Sequence, residues 1–297
     1  MRRWSERCRA AGLLVGLVPT MGALHAGHRS LVQRARADCD RVVVSIFVNP
    51  RQFGPGEDIE RYPRSLGEDL ALLTEEGVDA VFVPTVAAMY GRSIATSVHV
   101  DASITGVLEG ALRPGHFDGV ALVVAKLLIA CRPHRAYFGQ KDAQQCAVVR
   151  RIARDLDTGV EIAVCPVVRD HDGLAVSSRN LYLGAEVRNR ALAIPAGLSA
   201  AVMAFAGGEH RTARLCELVQ RPMEEAGFDV DYVAAVDAES FATVDVAGPG
   251  CQILVAGRIG ATRLIDVIRL GIDRAPLDAA GSQGSQVPGV IGVQGRE

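Results

Sequence analysis

The chain has 297 residues, 49% apolar and 22% charged, with a formal net charge of −2. That length suits one large domain or two modest ones with an ample core. The near-neutral balance argues against general affinity for nucleic acid or an anionic membrane, so an anionic substrate needs a local cluster of donors.

Residues 13–19 are a short apolar run ending at Pro19 and read as a strand. Residues 27–38 carry helical spacing through Leu31, Val32 and Ala35. Residues 41–48, Arg-Val-Val-Val-Ser-Ile-Phe-Val, are β-branched and continuous, as in a strand buried on both faces. Residues 65–76 read as a helix opened by Ser65 with Glu68 three residues on, a capping-box pattern. A strand at 79–83, a helix at 117–131, a strand at 136–139, a helix at 142–156 and a strand at 161–168 follow. The alternation predicts an α/β domain over residues 1–167, a Rossmann-like parallel sheet wrapped by helices. Polar residues fall after Val18, Val48, Phe138 and Val168, at the carboxyl ends of the predicted strands, where ligands bind in such sheets.

Residues 184–207 are Ala-rich and helical, with Pro195 expected to kink or split them, and residues 212–226 read as a helix that Pro222 interrupts. Strand-like runs at 231–236, 252–256 and 262–268 complete a smaller α+β C-terminal domain over residues 168–274. Residues 275–297 are rich in Gly, Ser, Gln and Ala and are expected to be a disordered tail. The longest apolar run, residues 120–131, contains Lys126 and is too short for a bilayer. The basic N-terminus has no apolar run behind it, so no signal peptide is expected. Seven scattered cysteines without CxxC spacing argue against zinc and disulfides and fit small buried residues in a reducing cytoplasm.

The most informative segment is Pro19-Thr20-Met21-Gly22-Ala23-Leu24-His25-Ala26-Gly27-His28, between a strand and a helix. Gly22 permits a tight turn and Gly27 leaves the helix mouth open. Helix N-terminal amides attract phosphate, and imidazoles three residues apart can face one ligand. As imidazolium, or as neutral N–H donors, they can stabilise charge on a transferring phosphoryl group. The HxGH pattern resembles the nucleotidylyltransferase superfamily. The fuller string resembles the pantothenate synthetase family.

Further strings carry the narrower resemblance in colinear order from about residue 15 to 183. They are Ser45-Ile46-Phe47-Val48-Asn49-Pro50-Arg51-Gln52-Phe53, Tyr62-Pro63-Arg64, Leu108-Glu109-Gly110, Arg113-Pro114-Gly115-His116-Phe117, Phe138-Gly139-Gln140-Lys141-Asp142 and Val176-Ser177-Ser178-Arg179-Asn180. The resemblance implies an ATP-dependent ligase that activates pantoate as an adenylate and joins it to β-alanine, with Mg2+ accompanying ATP. It further implies a cytoplasmic homodimer. By resemblance, the catalytic residues are His25, His28, Lys141 and Arg179. The ATP site is Met21, Gly22, Ala23, Leu24, His25, Ala26, Gly27, His28, Gly139, Gln140, Lys141, Asp142, Val168, Val176, Ser177, Ser178 and Arg179. Gln52 and Gln145 hold the substrates through neutral amides that leave the pantoate carboxylate nucleophilic.

Asp142 could cap the following helix, accept from the ribose or orient Lys141, and the cap alone is the stronger reading. Glu68 and Asp69 are either magnesium contacts or ordinary first-turn acids. Residues 57–64 are a candidate lid. The chain departs from the family pattern at Gln140 (glutamate expected), Val176 (methionine), Ala143 (aromatic), Ala26 (acidic) and Val267 (asparagine). Two other readings share these motifs: a nucleotidylyltransferase with a phosphorylated acceptor, and a nucleotide-binding protein without turnover.

Overall fold

The computed structural model describes residues 1–54, 59–60 and 62–279. The first sheet contains β1 (Val15–Thr20), β2 (Arg41–Ile46), β3 (Ala80–Phe82), β4 (Arg135–Gly139) and β5 (Glu161–Cys165). Its order is β3-β2-β1-β4-β5, and every pairing is parallel. An N-terminal helix that sequence reading missed, α1 (Arg2–Ala10), precedes β1. Helix α2 (Ala26–Asp38) joins β1 to β2, and α3 (Leu66–Glu75) joins β2 to β3. Three short helices, α4 (Val86–Tyr90), α5 (Ala102–Thr105) and α6 (Leu108–Leu112), lead into α7 (His116–Cys131) before β4. Helix α8 (Ala143–Asp155) joins β4 to β5.

The unbroken apolar run of β2 has a simple cause. Val43 packs into one core with Val15, Leu17 and the α7 residues, while Val42, Val44 and Ile46 pack into another with Leu31, Val32 and Leu73. Both faces are covered, so both are largely apolar, with Ser45 the buried polar exception. Strand β1 pairs with β2 from Val15↔Arg41 to Thr20↔Ile46, but with β4 only at Gly16↔Arg135 and Leu17↔Ala136. The ladder therefore stops between β1 and β4 short of their carboxyl ends. This is also where the strand order reverses, the place where open α/β sheets form a ligand crevice.

The second half contains α9 (Ala185–Ala191), α10 (Ala193–Ala206) and α11 (Thr212–Glu225). Its antiparallel sheet is β6 (Asp229–Val236), β7 (Gln252–Ile259) and β8 (Thr262–Arg269), in that order. Pro195 lies in the first turn of α10, and the break from α9 falls at Leu192. Pro222 does not interrupt α11, contrary to expectation. It forfeits one backbone bond, but Leu215, Val219 and Met223 on that helix are fully buried and each is worth ~1.5–3 kcal/mol. Among the described residues one helical stretch, Ala185–Ala206, is long and apolar enough to cross a membrane; in the fold it is divided at Leu192, and Ile194, Leu198 and Ala201 pack into the C-terminal core.

The expected tail begins with structure: α12 (Pro276–Ala279) docks on α10, where the Leu277 amide donates to Ser199 Oγ at 3.1 Å. The rest of that segment, 280–297, lies outside the described residues, as do 55–58 and 61 of the expected lid and its flank.

Candidate active site

The β1–α2 turn is built by its own backbone and one distant carboxylate. Thr20 Oγ1 donates to the Ser45 carbonyl (2.8 Å) and accepts from the Gly22 amide (3.2 Å). Gly22 has φ +83°, and a Cβ there would stand 2.9 Å from Asp69 Oδ2. Ala23 follows at φ +51°. Asp69, buried in the first turn of α3, accepts from the Ala23 amide (3.0 Å) and the Leu24 amide (2.8 Å). Ser65 does not cap α3 as its sequence pattern suggests; its hydroxyl donates to Asp69 Oδ1 at 3.4 Å.

The capping box lies instead at the two histidines. His25 is the N-cap of α2, and its Nδ1 accepts from the Gly27 amide at 3.1 Å. His28 Nδ1 accepts from the His25 amide at 3.4 Å. Both Nδ1 atoms are acceptors, so the ring proton of each sits on Nε2. The ring centroids are 4.1 Å apart. Burial, then His25 and Lys141, push the His28 pKa down to about 3. Burial and then Lys141 lower His25 as well, with Asp142 and Asp170 opposing. The pair is therefore neutral at physiological pH. Of the two forms the sequence allows, the neutral N–H donor is the one this site holds.

Past β2, Gln52 ends a 3-10 turn, Pro50–Gln52. Its Oε1 accepts from Asn49 Nδ2 (3.0 Å), and its Nε2 donates to Met21 Sδ (3.2 Å), a weak acceptor. Asn49 is fully buried and held by Tyr90, whose hydroxyl donates at 2.6 Å, and by the Gly119 carbonyl. His116 Nδ1 donates to the Gln52 carbonyl at 2.7 Å, and Arg113 Nη1 donates to His116 Nε2 at 3.2 Å. Helix α7 presses on this turn so closely that a Cβ on Gly119 would lie 2.2 Å from the Arg51 carbonyl oxygen.

After β4, Gln140 is buried and residues 141–145 line the cavity. Gln140 donates to Asp273 Oδ2 at 2.6 Å. Asp273 also receives Arg269. A glutamate at 140 would set two carboxylates against each other. Lys141 makes no ion pair among the described residues. Asp142 is the N-cap position of α8 but makes no side-chain capping bond, so its cap reading does not hold. Gln144 is fully engaged: its Nε2 donates to the Ile104 and Val107 carbonyls, and its Oε1 accepts from the Glu109 amide. Gln145, next to it, makes no such bonds among the described residues and also lines the cavity.

The loop after β5 is fixed by charges from elsewhere. Arg169 makes a buried bidentate pair with Asp266 of β8 (2.7 and 3.0 Å). Arg188 of α9 binds Asp170 and Asp172. The Val176 amide donates to the Val168 carbonyl (2.9 Å). Ser177 Oγ accepts from the Arg179 amide (3.3 Å), capping a 3-10 turn, Ser178–Tyr182. The hydroxyl of Ser177 is thus partly committed, whereas the Arg179 guanidinium makes no ion pair among the described residues.

A cavity of about 1220 Å³ lies between the two sheets. Lys141, Asp142, Gln145, Ser177 and Arg179 line it, with residues 258–266 of the β7–β8 hairpin on the far side. Met21, His25, His28 and Gln52 are not in its wall. Lys141 links the wall to both imidazoles through its charge, and the wall residues Arg113 and His116 hold the Gln52 carbonyl. Glu109 of α6 joins the halves. Arg263 donates to both its carboxylate oxygens (2.6 and 2.9 Å), Tyr232 donates at 2.8 Å, and Arg263 also binds Asp231. Sequence reading missed this cluster, although Leu108-Glu109-Gly110 stands among the motif strings. Nothing local marks Glu109 as the partner of an arginine 154 residues away.

A parallel sheet with a cavity beyond its carboxyl edge that charged and amide side chains help to line, paired imidazoles at a helix mouth and a lysine in the cavity wall define an α/β protein suited to an anionic ligand. The chain belongs to the pantoate-beta-alanine ligase family, whose model matches residues 1–269. It is 52% identical over 258 residues to a pantothenate synthetase of Acidobacterium capsulatum, covering 86% of each chain. It is 48% identical to one of Thermotoga neapolitana, covering 91% of this chain and 97% of that one. The fold superposes on the crystal structure of pantothenate synthetase from Thermus thermophilus with a TM-score of 0.83 at 47% identity, covering 89% and 97% of the chains. It also matches pantoate-beta-alanine ligase from Francisella tularensis, complexed with beta-gamma ATP and beta-alanine, at a TM-score of 0.71 and 31% identity, covering 90% and 95%.

Proposed function

We propose that this chain condenses pantoate with β-alanine, consuming ATP and releasing AMP and pyrophosphate. Family membership over most of the chain supports the reaction. The observation that carries the site assignment is Lys141, which lies in the cavity wall with Gln145 and Arg179 and acts on both neutral imidazoles.

In this reading a pantoate carboxylate oxygen attacks the α-phosphate in line and pyrophosphate leaves. His25 and His28 donate Nε2–H bonds to phosphate oxygens, and neutral donors already in place need no reorganisation as charge develops. Lys141 and Arg179 supply full positive charge, Arg179 with a planar fork suited to phosphate. Residues 21–28, 139–142, Val168 and 176–179 contour the nucleotide. Gln52 and Gln145 hold the substrates, since Gln52 Nε2 can exchange the weak Met21 sulfur for a substrate oxygen. The β-alanine amine then attacks the pantoyl carbonyl and expels AMP.

The donor set fits magnesium arriving on the triphosphate: Asp142 offers a cavity-facing carboxylate without a capping bond, and such ions need few protein ligands. When bound, magnesium would neutralise phosphate charge. Asp69 fits that role less well, because both its oxygens accept backbone amides. We read residues 1–167 as the ATP- and pantoate-binding unit and 168–274 as the smaller unit that completes the cavity. The reading includes a cytoplasmic homodimer. All seven cysteines are free thiols, in keeping with a reducing compartment, and sedimentation velocity tests the dimer.

An assay of AMP release with pantoate, β-alanine and ATP omitted in turn tests the function. Release requiring all three is expected. Pyrophosphate exchange driven by a phosphorylated acceptor and indifferent to pantoate would replace this reading with a nucleotidylyltransferase, and ATP binding without AMP release would replace it with a binding protein.

A further inference from the structure

We infer that Asp69 is a positioning residue for adenylate formation: it aims the two imidazoles by holding the turn that precedes them. The inference rests on the ligase reading above and goes beyond it by assigning a role to a residue outside the cavity.

Gly22 and Ala23 are consecutive residues with positive φ, +83° and +51°. For Ala23, which carries a Cβ, that conformation costs on the order of 1–3 kcal/mol. It persists only if something over-determines it. Asp69, 2% exposed, meets that need. Its two oxygens accept separately from the adjacent amides of Ala23 and Leu24, at 3.0 and 2.8 Å. A carboxylate is the side chain that presents two pure acceptors at that spacing, and charge-assisted bonds of this kind are the stronger ones. Ser65 Oγ adds a third donor.

Leu24 leads directly into His25, whose extended backbone lets the two histidines cap each other. That reciprocal cap fixes both Nδ1 atoms as acceptors and so sets where both Nε2–H bonds point. Asp69 thus acts on the reaction through the direction of two hydrogen-bond donors, without touching substrate. An amide at the same position replaces one acceptor with a donor facing the Ala23 or Leu24 N–H, and the turn must shift.

The test separates the two half-reactions. The first is pantoate-dependent ATP–pyrophosphate exchange. The second is aminolysis of synthetic pantoyl adenylate by β-alanine. In Asp69→Asn the exchange rate constant is expected to fall about 10–100-fold, the scale set by misplacing reacting groups by an ångström or so. The pantoate KM and the aminolysis rate are expected to stay within about twofold of wild type, a split that general loss of structure would not give. Ser65→Ala removes only the weakest of the three bonds and should slow exchange about 2–5-fold, again without slowing aminolysis. It carries the test if Asp69→Asn does not fold. Wild-type exchange in Asp69→Asn, or an equal fall in both half-reactions in either variant, would overturn the role of Asp69. If the wild-type chain itself shows no pantoate-dependent exchange, the ligase reading fails instead.

Discussion

The β1–α2 turn and the loop after β5, which the proposed function assigns to one site, are held in different ways. In the turn, bonds run between near neighbours: Thr20 to Gly22, His25 to Gly27, His28 back to His25. In the loop, the main anchor is a buried ion pair between residues 97 positions apart, Arg169 and Asp266. The contrast teaches that one polar site can combine a locally determined half with a half that exists only when the second sheet has formed. Cation placement then depends on tertiary folding, whereas imidazole placement depends on local geometry and one carboxylate.

The largest expected effect comes from breaking the long-range half. Asp266→Asn takes from Arg169 the carboxylate that binds it twice inside the protein. Breaking such a buried pair costs about 3–5 kcal/mol, and calorimetry should show a marked fall in Tm. A loss under about 1 kcal/mol, the scale of an exposed pair, would mean the loop is as self-sufficient as the turn. Next is His28→Ala, which removes a donor from the local half. Adenylate formation should fall about 100-fold, while unfolding free energy falls only by the ~1 kcal/mol of a lost cap bond, checked by exchange kinetics beside a urea titration. Near-normal turnover would deny the imidazole its role.

The smallest effect is a pH dependence. The folded pKa of His28 lies near 3, below its ordinary 6.5, so as pH falls the unfolded chain takes up the proton first. Stability attached to the neutral ring is whole above about pH 6.5 and declines toward pH 3. The slope approaches ~1.4 kcal/mol per pH unit, or about 2 kcal/mol between pH 6.5 and 5. Urea titrations at those two pH values should show that loss in wild type and less of it in His28→Ala. Equal losses would mean that His28 titrates like an exposed histidine.

Legibility follows the same division. β2 was readable because a strand covered on both faces is largely apolar, as Val42, Val43, Val44 and Ile46 are. The HxGH segment was readable because its residues interact at short spacing. The Asp69 acceptor pair was not, since an acid in the first turn of a helix looks ordinary whatever it binds. Pro222 misled because a proline penalty is local, while the burial of Leu215, Val219 and Met223 is tertiary. α1 was missed because its residues are mostly polar and basic, with only Ser5 and Cys8 buried. The capping box was expected at Ser65 and found at His25 because imidazole Nδ1 can accept as a hydroxyl does, which residue-type rules for caps overlook.

The contact between Gly119 and the Arg51 carbonyl limits how this pocket can be redesigned. The backbone beneath Gln52 rests on the α7 main chain with no room for even a methyl group, so that side cannot yield to a bulkier acid without displacing a whole helix. On the proposed assignment of Gln52 and Gln145 to the substrates, broader scope comes from the opposite side, where the Gln145 side chain lines the cavity and can be shortened. Selection for altered acids should therefore enrich changes at 145 and leave 119 and the phosphate-facing Arg179 unchanged.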